Sequence, residues 1–183
     1  MAKVGIIVGS LRKESFSRKV AENVAKLFPE GYETAFIEIG NLPHYNQDFD
    51  DENRAPQEYT DFRNKMKEVD AVLFVTPEYN RSIPGVLKNA LDVGSRPYGE
   101  SVWDGKPAAI ISQSPGNLSG FGANHHLRQP LTFLNMPVLQ QPEVYLASVH
   151  ELLDDNGQIT DQSTIDFLQG FVNAFVDLIK RFQ

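Results

Sequence analysis

Ser10, Arg12, Lys13, Ser15, Ser17 and Arg18 crowd into the short stretch Gly9-Ser-Leu-Arg-Lys-Glu-Ser-Phe-Ser-Arg18. Hydroxyls and cations at this density suit an anion. A helix starting near Ser15 or Phe16 adds the free N–H groups and positive dipole end of its first turn. Arginine adds charge-assisted, often bidentate, hydrogen bonds to phosphate. The better-known phosphate loops are missing: there is neither G-x-G-x-x-G nor G-x-x-x-x-G-K-[ST]. That disfavours a pyrophosphate held in Rossmann fashion and a nucleoside triphosphate. It favours a terminal monophosphate. The competing reading makes Ser15 a helix cap and leaves the cations to solvent.

A second chemically loaded stretch is Thr76-Pro-Glu-Tyr-Asn-Arg-Ser-Ile-Pro-Gly85. Pro77 and Pro84 fix φ at its ends, and Pro84 suits the start of a helix over Val86–Val93. A stiff polar-aromatic loop can hold a flat heteroaromatic ring along its backbone N–H groups. An ordinary turn would use the same residue types.

Other constellations carry less. His125 and His126 are adjacent on an expected helix, where neighbours do not face each other. His44 and His150 have no carboxylate at ligand spacing, so no metal site is expected. No G-x-S-x-G surrounds Ser10, and no histidine is placed to activate it. A phospho-receiver needs a cluster of carboxylates where this chain has Glu78 alone. Trp103 reads as a packing or interface residue.

The elements that must position these loops follow from periodicity. Val4–Val8, Ala71–Val75 and Ala108–Ile111 are apolar on both faces, as in parallel strands covered by helices on each side. Weaker strands are expected around Tyr32–Ile39 and Val138–Gln140. Helical stripes run through Phe16, Val20, Val24 and Leu27, through Tyr59, Phe62, Met66 and Val69, and from Ile165 to Phe182. A further helix is expected over Asn124–Asn135, with Pro130 kinking or interrupting it. Asn41–Pro56 reads as the longest irregular loop. Strands alternating with helices predict one α/β domain over residues 1–183, a doubly wound, flavodoxin-like sandwich. Its parallel sheet has five strands in the order 2-1-3-4-5. A ligand then sits beyond the carboxyl ends of the strands, where strand order reverses. This places the loops after the first, third and fourth strands around one cleft.

Bulk composition narrows the partners. The 183 residues carry 24 acids against 17 bases, a formal charge of −7. An acidic surface is a poor match for nucleic acid. No apolar run approaches the ~20 residues needed to span a bilayer. The chain has no cysteine, which excludes disulfides, thiolate nucleophiles and iron–sulfur clusters. A reducing, cytoplasmic setting is the expectation.

The two loops together, with Ser82-Ile-Pro-Gly-Val-Leu-Lys-Asn-Ala-Leu-Asp92, resemble the NADPH-dependent FMN reductase family, which includes chromate, quinone and azo reductases. His126-Leu-Arg-Gln129 shares the likeness. The resemblance implies FMN as cofactor and NADPH or NADH as co-substrate. It implies that Ser10, Arg12, Ser15, Phe16 and Ser17 hold the FMN phosphate. It puts Pro77, Glu78, Tyr79 and Asn80 against the isoalloxazine ring, with Arg81 at its substrate face. Gln113, Ser114 and Gly116 would border the pyrimidine end. Many relatives carry Asn at the position of Ser17. The family is usually a homodimer or homotetramer with FMN near the subunit interface.

The implied activity is an oxidoreductase passing hydride from NAD(P)H through FMN to a quinone, azo compound, free flavin or metal oxyanion. The flavin carries the chemistry, so no catalytic side chain is assigned. A flavodoxin-type electron carrier or a flavin-binding sensor would use the same cleft without nicotinamide turnover.

Overall fold

The both-face apolar runs of the sequence become the centre of a single sheet. The computed structural model describes residues 1–183. Its strands are β1 (Ala2–Val8), β2 (Tyr32–Phe36), β3 (Ala71–Pro77), β4 (Ala108–Gln113) and β5 (Val144–Leu146). All pair in parallel, in the order β2-β1-β3-β4-β5. This is the flavodoxin-like order expected from the alternation of elements. The helices are α1 (Phe16–Ala25), α2 (Gln47–Asp51), α3 (Gln57–Lys67), α4 (Gly85–Gly94), α5 (Phe121–Phe133), α6 (Val149–Leu152) and α7 (Gln162–Lys180). None is long and apolar enough to cross a membrane.

Side-chain alternation along the strands splits the core in two. Val4, Ile6, Leu73, Val75, Ala109 and Ile111 face α1 and α7, against Val20, Val24, Phe171 and Phe175. Ile7, Val72, Phe74 and Ile110 face α3, α4 and α5, against Phe62, Leu91, Leu127 and Leu131. Trp103 is fully buried on this second face, and its indole N–H donates to Leu91 O. Of the two roles expected for it, packing is the one observed.

Three expectations are corrected. The fifth strand is not at Val138–Gln140. Val138 makes a lone parallel bridge to Ala108, at the start of β4, and Leu139 N–H donates to Ala108 O. The chain then leaves the sheet and returns as β5, in register with Ile111–Gln113 at the other end of β4. The loop Asn41–Pro56 contains a short helix, α2, capped by the Asn46 side chain on Asp48 N–H. Pro130 does not interrupt α5, which runs through it to Phe133. Buried Leu127 and Leu131 hold the helix on the core either side of the lost hydrogen bond.

The segment between β2 and α3 lies beside the cleft and is tied down from below. Asn89 on α4 accepts Tyr45 N–H at 2.8 Å and donates to Leu42 O and Pro43 O. Arg63 on α3 grips Asp50 of α2 through both terminal nitrogens, at 2.7 and 2.8 Å, and donates from Nε to Val93 O. Tyr59 O–H donates to His44 O. Helix pairing and one loop are thus fastened by the same few polar groups.

Candidate functional site

The first arm is the turn from β1 into α1. Ser15 has extended backbone, and its hydroxyl accepts Arg18 N–H, so it caps α1. The N–H groups of Phe16 and Ser17 bond to nothing within the chain, as the first turn of a helix requires. The cations are not equivalent. Arg18 pairs with Glu22 and Glu38 and stacks on Phe36, 3.8 Å from the ring centroid. Lys19 pairs with Glu14, and its hydrogen bond holds that carboxyl below the usual range. Arg12 and Lys13 are left with no carboxylate partner. This turn therefore offers both free N–H donors and unpaired positive charge. Ser10 Oγ accepts Arg12 N–H, shaping the turn.

The second arm leaves β3. Tyr79 and Ser82 exchange N–H···O bonds of 2.9 and 3.0 Å around Asn80 and Arg81. The φ values of +52° and +68° at these two residues make a tight hairpin of the primed kind. Asn tolerates that conformation; Arg81 does so at a cost of roughly 1–2 kcal/mol. The hairpin is fastened to α5. Glu78 Oε2 accepts Ala123 N–H in the first turn of that helix, and Arg81 pairs with Glu78 at 3.3 Å. His126 Nδ1 lies 3.0 Å from Ser82 Oγ.

Gly122 sits where the hairpin meets α5. A Cβ there would lie 2.8 Å from Arg81 O and 2.9 Å from Glu78 Oε2. The carboxylate can swing away, but the backbone carbonyl cannot move without the hairpin. Gly122→Ala is therefore expected to displace the hairpin and cost roughly 1–3 kcal/mol, the scale of overpacking. Thermal unfolding measures the loss, and Gly170→Ala, whose Cβ meets nothing within 4 Å, is the control.

The two arms meet. Arg12 from the first and Tyr79 from the second line one cavity of about 420 Å³, with Gly9, Leu11, Pro84, Gly85 and Val86. Tyr79 is 45% exposed and its ring is free to face a ligand. Gly9 is needed for the close approach of the strands: a Cβ there would fall 2.7 Å from Thr76 Oγ1. Leu11, Gly85 and Val86 are not among the residues that the sequence assigns to the ligand, and Pro84 is read there only as the start of a helix. The Pro-Gly pair opening α4 was the available signal.

The third arm, after β4, is arranged differently from the expectation. Ser114 Oγ donates to Gly116 O and accepts Gly116 N–H, so these two close a turn on themselves at the edge of the cleft. Gln113 points down into the α1 side of the core, where Nε2 donates to Ser17 Oγ at 2.7 Å. Both side chains are buried, at 3% and 0% exposure. Ser112 points to the opposite face and accepts from Asn124 Nδ2 at 3.3 Å. Beside this arm, Phe121, His125 and Tyr145 pack their rings together. Burial, and then the neighbouring Glu143, push the Tyr145 phenol up to about 12, so it stays neutral. A larger concavity, about 750 Å³, lies elsewhere, between α4 and α5.

The residues present fit a flavin mononucleotide. Unspent N–H donors and free cations sit at one end, and a wall with an exposed aromatic sits at the other. Fold and cleft together define a flavodoxin-like α/β protein with a cleft suited to a phosphate-bearing ligand at the switch point of its sheet. The chain belongs to the NADPH-dependent FMN reductase family, whose family model matches residues 2–151. It is 53% identical to a quinone reductase of Pseudomonas putida, over 97% of this chain and 94% of that protein. It is 42% identical to a 2-hydroxy-1,4-benzoquinone reductase of Burkholderia sp., over 97% of this chain and 96% of that one. Among solved structures it is similar to FerB, a flavoenzyme NAD(P)H:(acceptor) oxidoreductase from Paracoccus denitrificans. The TM-score is 0.92 at 41% identity, covering 100% of this chain and 99% of that one.

Proposed function

We propose that this protein is an FMN-dependent NAD(P)H oxidoreductase that reduces quinones, with FMN lying across the cavity shared by its first two arms. The observation that carries the reading is that Arg12 and Tyr79, from loops far apart in sequence, line the same cavity at the strand ends. Membership of the reductase family and likeness to quinone reductases support it. FMN held there would supply the redox chemistry that couples NAD(P)H oxidation to quinone reduction.

The chain's own residues bind and orient. Arg12, the Ser10 and Ser15 turn, and the N–H groups of Phe16 and Ser17 hold the phosphate. Pro77, Tyr79 and Asn80 form the wall against the ring. Glu78 and Arg81 keep that wall on α5. Ser114 and Gly116 border the pyrimidine end. One FMN-binding domain spans the chain, and no side-chain acid or base is called for.

A second copy of the chain completes the assembly in this reading, as a homodimer or homotetramer. The α4–α5 groove supports it. The groove begins at Ser82 and Ile83 beside the ring wall and ends at Phe133, a side chain 89% exposed. Sedimentation velocity reads the state directly. The same reading places the enzyme in the cytoplasm, where reduced nicotinamides are available.

Anaerobic mixing of the FMN-loaded protein with NADPH or NADH tests the activity. The flavin absorbance is expected to bleach and to return when a quinone is added. A flavin that stays oxidised with both nicotinamides overturns the oxidoreductase reading.

A further inference from the structure

Strand β4 ends at a polar pair that the proposed chemistry does not use. Alternation directs Gln113, like Ala109 and Ile111, to the α1–α7 face of the sheet. There its amide meets Ser17, the second residue of α1, across the top of an otherwise apolar core. The bond joins positions that lie far apart in sequence and belong to different arms of the cleft. It is the direct side-chain link between the turn that offers N–H groups and the strand that carries the third arm.

The pair is also incomplete. Gln113 Oε1 is buried with no hydrogen-bond partner. A buried acceptor left unpaired costs on the order of a hydrogen bond, and cores that need only stability avoid it. Hydrophobic side chains of similar volume would fill the same space without that cost. A half-satisfied amide kept at this place is thus better explained by what its other half holds than by packing.

What it holds is the start of α1. The Ser17 N–H is one of the two free donors of the first turn, and the Ser17 side chain is the point at which that turn is anchored to the sheet. Ser15 caps the turn locally but does not fix its position on the sheet. We propose that Gln113 is a positioning residue: through Ser17 it sets where the N–H groups of Phe16 and Ser17 point, and so sets the grip on the ligand's phosphate. The sequence resemblance put Gln113 at the pyrimidine end of the flavin; the geometry gives it the phosphate end instead, through another residue.

The proposal rests on the FMN reading, and its test separates the two. Binding of FMN and of riboflavin, which lacks the phosphate, is measured by flavin fluorescence quenching on the wild type, Gln113→Met, Ser17→Ala and the double variant. Gln113→Met is expected to raise the FMN dissociation constant about tenfold, the scale of one net hydrogen bond, and to leave riboflavin affinity unchanged. Ser17→Ala is expected to do the same, and the double variant to do no more than either alone. Thermal unfolding of each variant confirms that it is folded. If Gln113→Met does not fold, Ser17→Ala alone carries the test, because it removes the same bond from the other side. Equal weakening of FMN and riboflavin overturns the proposal, as do unchanged FMN affinity and independent effects in the double variant. A wild type that binds no flavin removes the underlying reading instead.

Discussion

Arg12→Ala is expected to weaken FMN binding by roughly 1.5–3 kcal/mol, or about 10–150-fold. Arg18 and Lys19 already serve carboxylates of the chain, and removing either would change the surface of α1 as much as the site. Arg12 serves none. Its guanidinium lies 6.0 Å from the Phe16 ring centroid, at the start of α1, and it lines the cavity. Its removal should therefore cost the ligand a charge-assisted bond and cost the folded chain almost nothing. Riboflavin affinity should be unmoved, and the melting temperature of the free protein should match the wild type. Equal FMN affinity in the variant removes Arg12 from the site.

The largest expected effect on stability comes from Asp50→Ala. The Asp50 and Arg63 side chains are 6% and 9% exposed, and their contact is bidentate. Loss of one member of a buried pair leaves an uncompensated charge and costs roughly 3–5 kcal/mol. For a chain of this size that is a drop of roughly 6–20 °C in melting temperature. The damage has a direction. Arg63 keeps its bond to Val93 O and its place over the Tyr59 ring, so α3 and α4 stay together while α2 is released. Asn89 still holds the loop at Tyr45. Calorimetry checks the magnitude. The double variant Asp50→Leu/Arg63→Leu separates the cost of a stranded charge from the worth of the pair, and it should recover much of the loss. A single variant that melts with the wild type would show that the pair is not stabilising.

How much of this was readable in sequence depends on what kind of signal each part leaves. The central strands announced themselves because both faces are buried, and burial on both faces leaves an unbroken apolar run. The switch point followed from the alternation of elements. The fifth strand was misplaced because its signal is divided: Val138 and Leu139 accompany the beginning of β4, and Val144–Leu146 its end. Helix α2 has Phe49 as its one large apolar residue, too little for a period; that ring packs on Tyr59, and the buried Asp50–Arg63 pair adds the second hold. Within the cleft, residue type revealed the arms but not the direction of each side chain. Glu78 caps a helix nearly fifty residues on, and Gln113 turns inward to Ser17. Both are long polar side chains whose targets lie in other elements, and no local pattern encodes such a reach.

The isolation of Arg12 and Lys13 within an acidic molecule also shapes how a dianionic ligand comes and goes. At ~0.1 M salt the field of a charge fades within about 10 Å. An approaching FMN first meets the net charge of −7 and is repelled, and only near the cleft does it meet the two free cations. Rising ionic strength relieves the early repulsion and weakens the late attraction. The ligand then arrives faster and departs faster, so its exchange quickens more than its affinity changes.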